Sequence, residues 1–585
     1  MRLRTSTLSL VIATLLVAFI TPARAAEKTA ADLLPASTLF YLEVPQPQKL
    51  LSTILDHPLR EKLEETDGYK QFVQSQQFRQ LSTGVAIFEH LTQMKWREAL
   101  ESMSARGLFV AFDPNTNGVA FLMKADDPAV FKKLNEVLGQ IADDNPNGNI
   151  TRGRTYRGIP TFKLGEGGLA FHDKWLIGAN NANLGKILFD NLLETGSSTL
   201  AGDKDFIAAR KHGFASEAPT AWAFARTQQL RSMGVFDALF QQKSDNPALE
   251  LIAGGLMETL QHTPYVTASL RVKTDALGLS LAAAHDPSRT SKTREYYFGP
   301  TIGGAAPKPL KPKGTAPSSV TSRDIGGMLG KADELFNENV AAGIAQADSQ
   351  LSLFFGDRSF TYEVLANFKP QMQLVATRQK FDDDDVKPAI KLPAGALIFQ
   401  VKPDDQLTKD QFESAFSSAV GLISVTGMQE GRPALKLRTI EKEGALISTA
   451  SYIFDPKKSD KNAAEMFYNA SPTLAITKDR IILSSPRDLA EELVGLAGSQ
   501  SGSDKIGQNT LIELDGAMVA QMLKDNREFL VGQNMIEKGH ERASAEKEVD
   551  TLLQLVSYVK GASLDLSFQG GHATLNFDVK FNLPK

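Results

Sequence analysis

The sequence contains no cysteine among its 585 residues. A chain without cysteine forms no disulfide, holds no thiolate-bound metal and offers no thiol to which a lipid could be attached. Beyond residues 1–25, the sequence shows no apolar stretch of the roughly 20 residues that cross a bilayer as a helix. The composition therefore argues against disulfide scaffolds, thiolate metal proteins and membrane spans in the rest of the chain.

Sequence motifs of the common enzyme classes are also missing. There is no H-E-x-x-H metal motif, no G-x-S-x-G nucleophile turn and no G-x-x-x-x-G-K-[ST] phosphate loop. We therefore predict no catalytic, cofactor-binding or metal-binding residue, and no cofactor. A carboxylate pair for glycoside hydrolysis and a metal site assembled from distant residues stay open, because their spacing is spatial. The eight histidines are His57, His90, His172, His212, His262, His285, His540 and His572.

One loop resembles the start of an EF-hand. Residues 113–118 read D-x-N-x-N-G, but the twelfth position, where a glutamate should bind Ca²⁺ through both oxygens, is Lys124. Asn117-Gly118 between two apolar runs is a strong turn signal on its own. We therefore interpret the loop as a hairpin turn between residues 107–112 and 119–124.

A second partial match concerns penicillin-recognising enzymes. Ser544-x-x-Lys547 and Ser557-x-x-Lys560 fit the S-x-x-K pattern, and Ser244-Asp245-Asn246 fits its S-D-N partner. The S-D-N motif precedes both serines, whereas it should follow the nucleophile, and there is no K-T-G. We reject this match.

Residues 1–25 are typical of an export signal. Arg2 and Arg4 form a basic start, residues 8–20 are an apolar run, and Ala23-Arg24-Ala25 has the small-x-small pattern of a cleavage site. We predict cleavage after Ala25 and a mature chain that is periplasmic or extracellular, with no transmembrane segment after cleavage. An uncleaved anchor is the alternative.

Charge further limits the partners of the mature chain. Removing the three arginines of residues 1–25 lowers the formal charge from −4 to −7. Proteins that bind nucleic acid need clustered positive charge to neutralise phosphates. We therefore predict no nucleic-acid partner.

An internal repeat is the strongest architectural signal. Residues 169–188 recur without gaps as residues 474–493, at an offset of 305. In both copies two apolar runs flank a polar turn, which predicts a hairpin, and small polar residues or proline then start a helix. The matching positions are apolar, which favours a buried structural role: Leu169, Ala170, Ile177, Leu184 and Leu188 recur as Leu474, Ala475, Ile482, Leu489 and Leu493.

Weaker similarities follow in the same order. Residues 34–45 match residues 392–403, and residues 158–164 and 431–437 share G-x-P-x-x-K-L. The first match predicts that the second copy lacks the helices that residues 46–103 predict in the first.

Alternating strands end each half. They begin at Ala268-Ser269-Leu270 and at Ala562-Ser563-Leu564, and a further alternating hairpin is predicted at residues 360–374. The sequence predicts an α+β fold of antiparallel sheets backed by helices, internally duplicated into two lobes.

The predicted domain organisation follows from these repeats. After the signal peptide, residues 26–287 form an N-terminal α+β lobe, and residues 288–317, rich in proline, glycine and lysine, form a linker. Residues 318–585 form a C-terminal α+β lobe whose repeat core begins at residue 392. The four aspartates of residues 382–385 are interpreted as a solvated linker that could bind a cation weakly.

With these segments identified, the chain resembles a family of exported bacterial proteins classed as domains of unknown function. The resemblance covers mainly residues 30–290 and implies an exported α+β protein without any site residue. It is carried by LPASTLFYLEVPQPQKLL at residues 34–51, DHPLREKLE at 56–64, MKWREAL at 94–100 and WLIGANNANLGKIL at 175–188.

We expect a non-enzymatic exported protein of the bacterial envelope that acts as a binding or structural module. Its partner would be an envelope component or another protein. One alternative is a periplasmic lipid- or solute-binding protein, which requires an apolar cleft. The other is a hydrolase of envelope polymers, which requires two carboxyl groups close together in a cleft.

Overall fold

The structure is a computed structural model that describes residues 27–64, 66–194, 198–215, 217–235, 243–299, 303–382, 385–402, 405–458, 460–499 and 505–583. The predicted signal peptide lies outside these ranges. The chain divides into two compact units. Unit 1 contains the described residues up to Gln46 together with Val85–Arg210, and unit 2 contains Pro47–Gly84 and the described residues from Lys211 onward.

The helices are numbered in chain order. They are α1 (Ala30–Leu33), α2 (Pro47–Leu55), α3 (Arg60–Glu64), α4 (Asp67–Gln74), α5 (Gln76–Thr92), α6 (Trp96–Met103), α7 (Ala129–Asp144), α8 (Ala182–Leu193), α9 (Lys204–Gly213), α10 (Thr227–Ser232), α11 (Pro247–His262), α12 (Glu295–Phe298), α13 (Ile325–Leu329), α14 (Ala332–Leu335), α15 (Glu338–Ser352), α16 (Gln406–Gln429), α17 (Arg487–Ser499), α18 (Gly516–Asp525), α19 (Arg527–Lys538) and α20 (Arg542–Ser557).

The strands are numbered in the same way. They are β1 (Phe40–Val44), β2 (Leu108–Asp113), β3 (Gly118–Lys124), β4 (Ile150–Arg152), β5 (Thr161–Leu164), β6 (Gly167–His172), β7 (Trp175–Ala179), β8 (Ala221–Ala225), β9 (Val266–Lys273), β10 (Ala276–Ala284), β11 (Ala305–Ala306), β12 (Thr315–Ser322), β13 (Phe368–Thr377), β14 (Ala394–Val401), β15 (Leu435–Lys442), β16 (Ala445–Tyr452), β17 (Thr473–Ile476), β18 (Arg480–Ser484), β19 (Lys505–Ile506), β20 (Gln508–Asp515), β21 (Val559–Gln569) and β22 (His572–Phe581).

Unit 1 is built on an antiparallel sheet in the order β1–β2–β3–β7–β6–β5–β4. Along β2 every second residue is buried, as expected when successive side chains point to opposite faces of a sheet. One core cluster lies where α6 and α7 pack on strands β3 and β7. Its buried members are Ala99, Met103, Met123, Ala125, Phe131, Leu134 and Leu176.

Helix α8 is held at both ends within unit 1. The Asn181 side chain caps the start by accepting hydrogen bonds from the amides two and three residues further on, at 2.8 and 3.5 Å. At the other end, the Lys28 ammonium donates to the carbonyls of Asn191 and Glu194 at 2.5 Å each. A cation at a helix C-terminus satisfies free carbonyls and opposes the helix dipole. These contacts fix the position of α8 in unit 1.

Unit 2 contains a longer antiparallel sheet. Its order is β8–β9–β10–β22–β21–β20–β12–β13–β14–β18–β17–β16–β15. Strands β11 and β19 form a separate short ribbon. The larger core clusters contain apolar side chains of β13, β14, β16 to β18 and α17 in one case, and of α12 to α15, β21 and β22 in the other.

The same connectivity occurs twice along the chain. Strand β1, helices α2–α6, strands β2 and β3, helix α7, strands β4–β7 and helix α8 follow one another in the first part. Strand β12, helices α13–α15, strands β13 and β14, helix α16, strands β15–β18 and helix α17 follow in the second. The strand order β12–β13–β14–β18–β17–β16–β15 repeats the order β1–β2–β3–β7–β6–β5–β4.

This connectivity corrects two details of the sequence comparison. Strand β12 takes the place of β1, and β14 takes the place of β3, so the match between residues 34–45 and 392–403 aligns strands that differ in position; both are apolar strands bounded by proline. The shared G-x-P-x-x-K-L is displaced as well, because residues 158–164 lead into β5 and residues 431–437 lead into β15, whereas β16 takes the place of β5. The second copy also has helices, α13–α15, between its first two strands, so the prediction that it lacks the early helices is wrong.

The predicted fold class is confirmed as an α+β arrangement with a large antiparallel sheet and helices. The hairpin at residues 107–124 and the alternating strands that end each half are present as β2–β3, β9–β10 and β21–β22. In the repeated stretch, both predicted hairpins form as β6–β7 and β17–β18, and both are followed by a helix.

The hairpin predicted at residues 360–374 is not formed. Phe360–Val364 is a π-helical turn, and Phe368–Thr377 is a single strand, β13. The carboxylate of Asp348 accepts a hydrogen bond from the amide of Thr361 at 2.6 Å. Local hydrogen bonds to the first amides favour a helical turn here, although the side chains alternate as they would in a strand.

The segment predicted as a linker, residues 288–317, contains packed structure. Helix α12 lies within it, and the side chains of Tyr296, Tyr297 and Phe298 are buried in a core cluster of unit 2. Strand β12 begins at its end. The predicted bounds of the two lobes stay a prediction.

A buried arginine connects several elements of unit 2. Arg323 is 2% exposed, at the end of β12. Its guanidinium donates to the carbonyls of Leu251 at 2.8 Å and Ser322 at 2.7 Å, to the hydroxyl of Thr510 at 2.9 Å and to the side-chain oxygen of Asn509. Helix α11 and strands β12 and β20 are thereby joined through one side chain.

No carboxylate among the described residues pairs with Arg323, so neutral oxygens carry the stabilisation of its charge. The guanidinium also lies 3.5 Å from the centroid of the Tyr297 ring, where the negative face of the ring attracts a cation. Burial lowers the pKa of Arg323. Buried charges are tolerated only where hydrogen bonds replace their hydration, so this site depends on the planar, multiply donating guanidinium.

We predict that Arg323→Lys lowers the free energy of unfolding by about 2–4 kcal/mol, because one ammonium cannot reach the four acceptors and buried oxygens lose partners. Urea unfolding of the protein measures the change. Arg432→Lys is the control, since Arg432 forms an exposed ion pair with Glu430 that is worth at most about 1 kcal/mol. Equal midpoints for both variants would contradict the role assigned to Arg323.

Candidate functional site

A cavity of about 530 Å³ lies inside unit 1, between strands β5–β7, the segment before β5 and helix α8. Small-molecule pockets usually have volumes of about 300–1,000 Å³. Its walls are largely apolar. The apolar side chains that face it include Ala170, Ile177, Ala179 and Phe189.

The floor of the cavity is a row of residues across three strands. Thr161 of β5 pairs with Ala170 of β6, which pairs with Ile177 of β7. Residues that pair across an antiparallel sheet point to the same face, so all three face the cavity. Ala170 and Ile177 are buried, and Phe189 of α8 is buried above them.

The next row on the same face forms the outer part of the cavity. Lys163 of β5 pairs with Gly168 of β6, which pairs with Ala179 of β7. The chain then turns into α8 immediately after Ala179. The cavity therefore has an inner row with two buried apolar side chains beside Thr161, and an outer row that carries a cation.

Two glycines leave space in the cavity. A Cβ added to Gly168 would lie 3.9 Å from the carbonyl oxygen of Phe162, and one added to Gly185 would lie 3.8 Å from the Cβ of Ala179. Both are ordinary van der Waals distances. Steric conflict therefore does not require glycine at either position, and a larger side chain would extend into the cavity.

Three cationic side chains line the cavity without partners. Arg154, Lys163 and Lys186 are exposed, and nowhere in the described part of the chain does an ion pair or hydrogen bond occupy their charged heads. The lining contains one carboxylate, from Glu166. The lining thus carries a net positive charge of two, and its cations are available to an anion.

The segment before β5 is fixed to α8 by polar contacts. The Tyr156 hydroxyl donates to the Asp190 carboxylate at 2.9 Å, and this hydrogen bond raises the pKa of Tyr156. Arg157 lies 2.9 Å from Asp190 and also pairs with Glu194. These bonds join the two walls of the cavity.

The corresponding region of the second repeat is filled. At the 305-residue offset, Gly168 corresponds to Thr473 and Gly185 to Ala490. The Thr473 hydroxyl donates to that of Thr449 at 3.1 Å, and Thr473 and Ala490 are both buried. Side chains close the space in one copy that glycines leave open in the other.

A second cavity, of about 560 Å³, lies inside unit 2 near the start of α16 and the β15–β16 turn. It is lined mainly by charged groups. Four carboxyl-bearing residues contribute to its wall, namely Asp410, Glu413, Glu441 and Glu443. Two of its lysines are occupied, because Lys409 donates to the carbonyl of Lys478 and Lys442 pairs with Glu491.

The loop that resembles an EF-hand is a hairpin turn between β2 and β3. The Asp113 carboxylate accepts from the amide and the hydroxyl of Thr116, at 2.9 and 2.7 Å, and Asn117 adopts a left-handed φ of 49°. The prediction of a turn is confirmed.

Lys124, at the position where an EF-hand needs a glutamate, has a structural role. It donates to the carbonyl of Lys28 at 2.7 Å and lies 3.3 Å from the carboxylate of Glu27. A hydrogen bond from the Lys124 ammonium to the Glu27 carboxylate lowers the pKa of Glu27. Lys124 therefore holds the first described residues of unit 1 against β3.

The residues of the penicillin-type motifs make hydrogen bonds at helix ends. Ser557 is the last residue of α20, and its hydroxyl donates to the carbonyl of Gln554 at 2.7 Å. Asn246 caps α11, and the Ser244 hydroxyl donates to the carbonyl of Asn246 at 3.1 Å. These local contacts account for both motifs.

Among the described residues, no group of three or more histidine, aspartate or glutamate side chains could hold a metal ion. Within the same ranges, no helix has the length and hydrophobicity needed for crossing a membrane.

Two histidines form a pair in unit 2 that sequence reasoning did not find. The rings of His212 and His572 stack at a centroid distance of 3.9 Å. His212 lies 3.3 Å from the hydroxyl of Thr574, and His572 lies 3.2 Å from that of Tyr265. Burial, and then the neighbouring His572, lower the pKa of His212. The pair is separated by 360 positions, so no local pattern could indicate it.

Comparisons with known proteins add little. No family model matches the chain, and no curated protein does. Crystal forms IV, III and I of TP0453 align with TM-scores of 0.24, 0.25 and 0.23 and sequence identities of 10%, 8% and 10%. The alignments cover 44–45% of this chain and 80–83% of TP0453. Similarity this weak supports no argument about fold or function.

We predict that His212→Phe makes stability less dependent on pH. The unfolded chain takes up this proton near the ordinary histidine pKa of about 6.5, whereas the folded chain does so only at lower pH. Stability is therefore lost as the pH falls through this window, and a phenylalanine removes the loss while retaining a ring against His572. Urea unfolding at about pH 7.5 and about pH 5.5 tests this; equal losses in wild type and variant would contradict it.

Proposed function

We propose that the chain is an exported protein of the bacterial cell envelope that acts as a non-enzymatic binding module. The cavity in unit 1 is the observation that carries the proposal. It has the size of a ligand pocket, apolar walls and a few polar groups at one end, as small-molecule sites generally have. The ligand is bound there without covalent chemistry.

Export is proposed on the sequence of residues 1–25, with its basic start, apolar run and small-x-small end. A periplasmic or extracellular location follows from that proposal. Membership of the family of exported proteins that the sequence resembles is proposed on the four segments between residues 34 and 188.

We also propose that the chain arose by duplication into two lobes. The repeated strand order supports this proposal, as does the gapless repeat of residues 169–188 at residues 474–493. A third observation comes from the strands that end each half.

Equivalent strands of the two halves pair with each other within unit 2. Leu270 of β9 pairs with Leu279 of β10, and 294 residues after Leu270, Leu564 of β21 pairs with Phe577 of β22. Leu279 and Phe577 are therefore equivalent, and they pair directly across β10 and β22. When two equivalent residues pair with each other, a two-fold axis passes between them, as it does in the interface of a symmetric dimer. This register supports a duplicated origin.

A hydrolase of envelope polymers is the second candidate. The carboxyl-rich cavity in unit 2 is the observation that favours it, because glycoside hydrolysis uses a pair of carboxyl groups.

We predict that Gly185→Leu abolishes binding of a neutral apolar probe in unit 1. N-phenyl-1-naphthylamine, whose fluorescence rises in apolar surroundings, is titrated into the mature protein. The leucine side chain would occupy the cavity, so we expect affinity to fall by more than about tenfold. The fold should tolerate the change, because the added Cβ meets only an ordinary contact and leucine favours a helix.

Gly343→Leu is the matched control. Gly343 lies within α15 of unit 2, and a Cβ added there has no neighbour within 4 Å. This variant makes the same chemical change in a helix without filling the cavity. Equal probe binding by both variants, or no binding by the wild type, would contradict the proposed function.

A binding module should not degrade envelope polymers. We expect the mature protein to release no reducing sugar from purified peptidoglycan over hours of incubation. Glu441→Gln and Glu443→Gln variants provide the comparison, since both residues line the carboxyl-rich cavity. Sugar release that disappears in either variant would favour the hydrolase.

A further inference from the structure

We infer that the cavity in unit 1 binds an amphiphile with an anionic head and a single acyl chain. The inference rests on the proposed function and adds the chemical class of the ligand. The acyl chain lies against the inner row of Thr161, Ala170 and Ile177. The anionic head faces the outer row, which includes Lys163.

The charge of the cavity favours a ligand whose head group is negatively charged. Arg154, Lys163 and Lys186 have no partners among the described residues, although Lys28 and Arg157 elsewhere in unit 1 are paired. A carboxylate or phosphate would offer these cations charge-assisted hydrogen bonds. Glu166 is the opposing charge in the lining, which leaves an excess of two positive charges.

The apolar part of the cavity favours a ligand with an acyl chain. Ala170, Ile177 and Phe189 are buried side chains of the lining, and they offer no charged partner to a polar ligand. A free phosphate or sugar would leave this surface unused. Burial of each methylene contributes about 0.8 kcal/mol, so an acyl chain gains affinity with length until the cavity is full.

The comparison between the two repeats supports a specific adaptation of the first. Gly168 and Gly185 leave the space that Thr473 and Ala490 fill in the second repeat, and Lys163 lies where the strand pairings place Thr449. The same strand order thus holds a closed, hydrogen-bonded layer in one copy and an open, cationic cavity in the other.

The experiment measures displacement of N-phenyl-1-naphthylamine from the mature protein at low salt. The competitors are palmitate, palmitoyl lysophosphatidic acid, the neutral ester methyl palmitate and inorganic phosphate. We expect both anionic amphiphiles to bind more tightly than methyl palmitate. Affinity should rise about fourfold for each methylene from decanoate upward until it reaches a plateau. The relative affinities of palmitate and the lysolipid distinguish a fatty acid from a phospholipid as the source of the head.

The cations are tested by Lys163→Gln combined with Lys186→Gln. We expect palmitate affinity to fall about three- to tenfold, with a smaller fall at high salt, while the probe itself binds unchanged. Lys132→Gln combined with Lys133→Gln is the control, because these exposed lysines lie on α7 of the same unit and do not line the cavity.

Each outcome decides the inference. Equal affinity for palmitate and methyl palmitate, or an equal loss in both lysine double variants, would overturn the anionic head and leave the proposed function intact. If phosphate displaced the probe as strongly as palmitate does, the role of the acyl chain would be overturned. A probe that does not bind, or binds equally to Gly185→Leu, would defeat the proposed function itself.

Discussion

The hydrogen-bonded register of β5, β6 and β7 is the constraint on which the cavity in unit 1 depends. This register places Thr161, Ala170 and Ile177 in one row and Lys163 and Gly168 in the next. A slip of one residue would turn every side chain of a strand to the other face of the sheet. Tight turns at both ends of β6 fix the register, and α8, tied at both ends, covers the row.

The two parts of the chain that share this connectivity are packed differently. In the second, hydroxyl and methyl groups such as those of Thr473 and Ala490 complete a packed core. In the first, glycines leave an opening that exposed cations border. Duplication would allow this division, because one copy can retain a stable core while the other loses packing.

Local patterns predicted local structure well. The hairpins β2–β3, β6–β7 and β17–β18, and the helices that follow β7 and β18, follow from turn residues, alternation and helix-start signals. The incorrect prediction of a hairpin at residues 360–374 also has a local cause. Hydrogen bonds to Asp348 favour a helical turn over the strand that alternation predicts.

Long-range features could not be predicted. The stacked His212 and His572, and the contacts of Arg323 with Leu251 and Thr510, join residues that lie far apart in the sequence. The cavity was missed for a related reason. The space beside Gly168 exists only once α8 is packed above it. No spacing in the sequence records that packing.

Native mass spectrometry of the protein, purified from the cells that make it, shows directly whether a ligand occupies the cavity in unit 1. We expect the wild-type chain to carry the mass of one anionic amphiphile, which is lost on denaturation, and Gly185→Leu purified in the same way to carry none. A bare wild-type chain, or the same added mass on both proteins, would contradict a ligand in the cavity of unit 1.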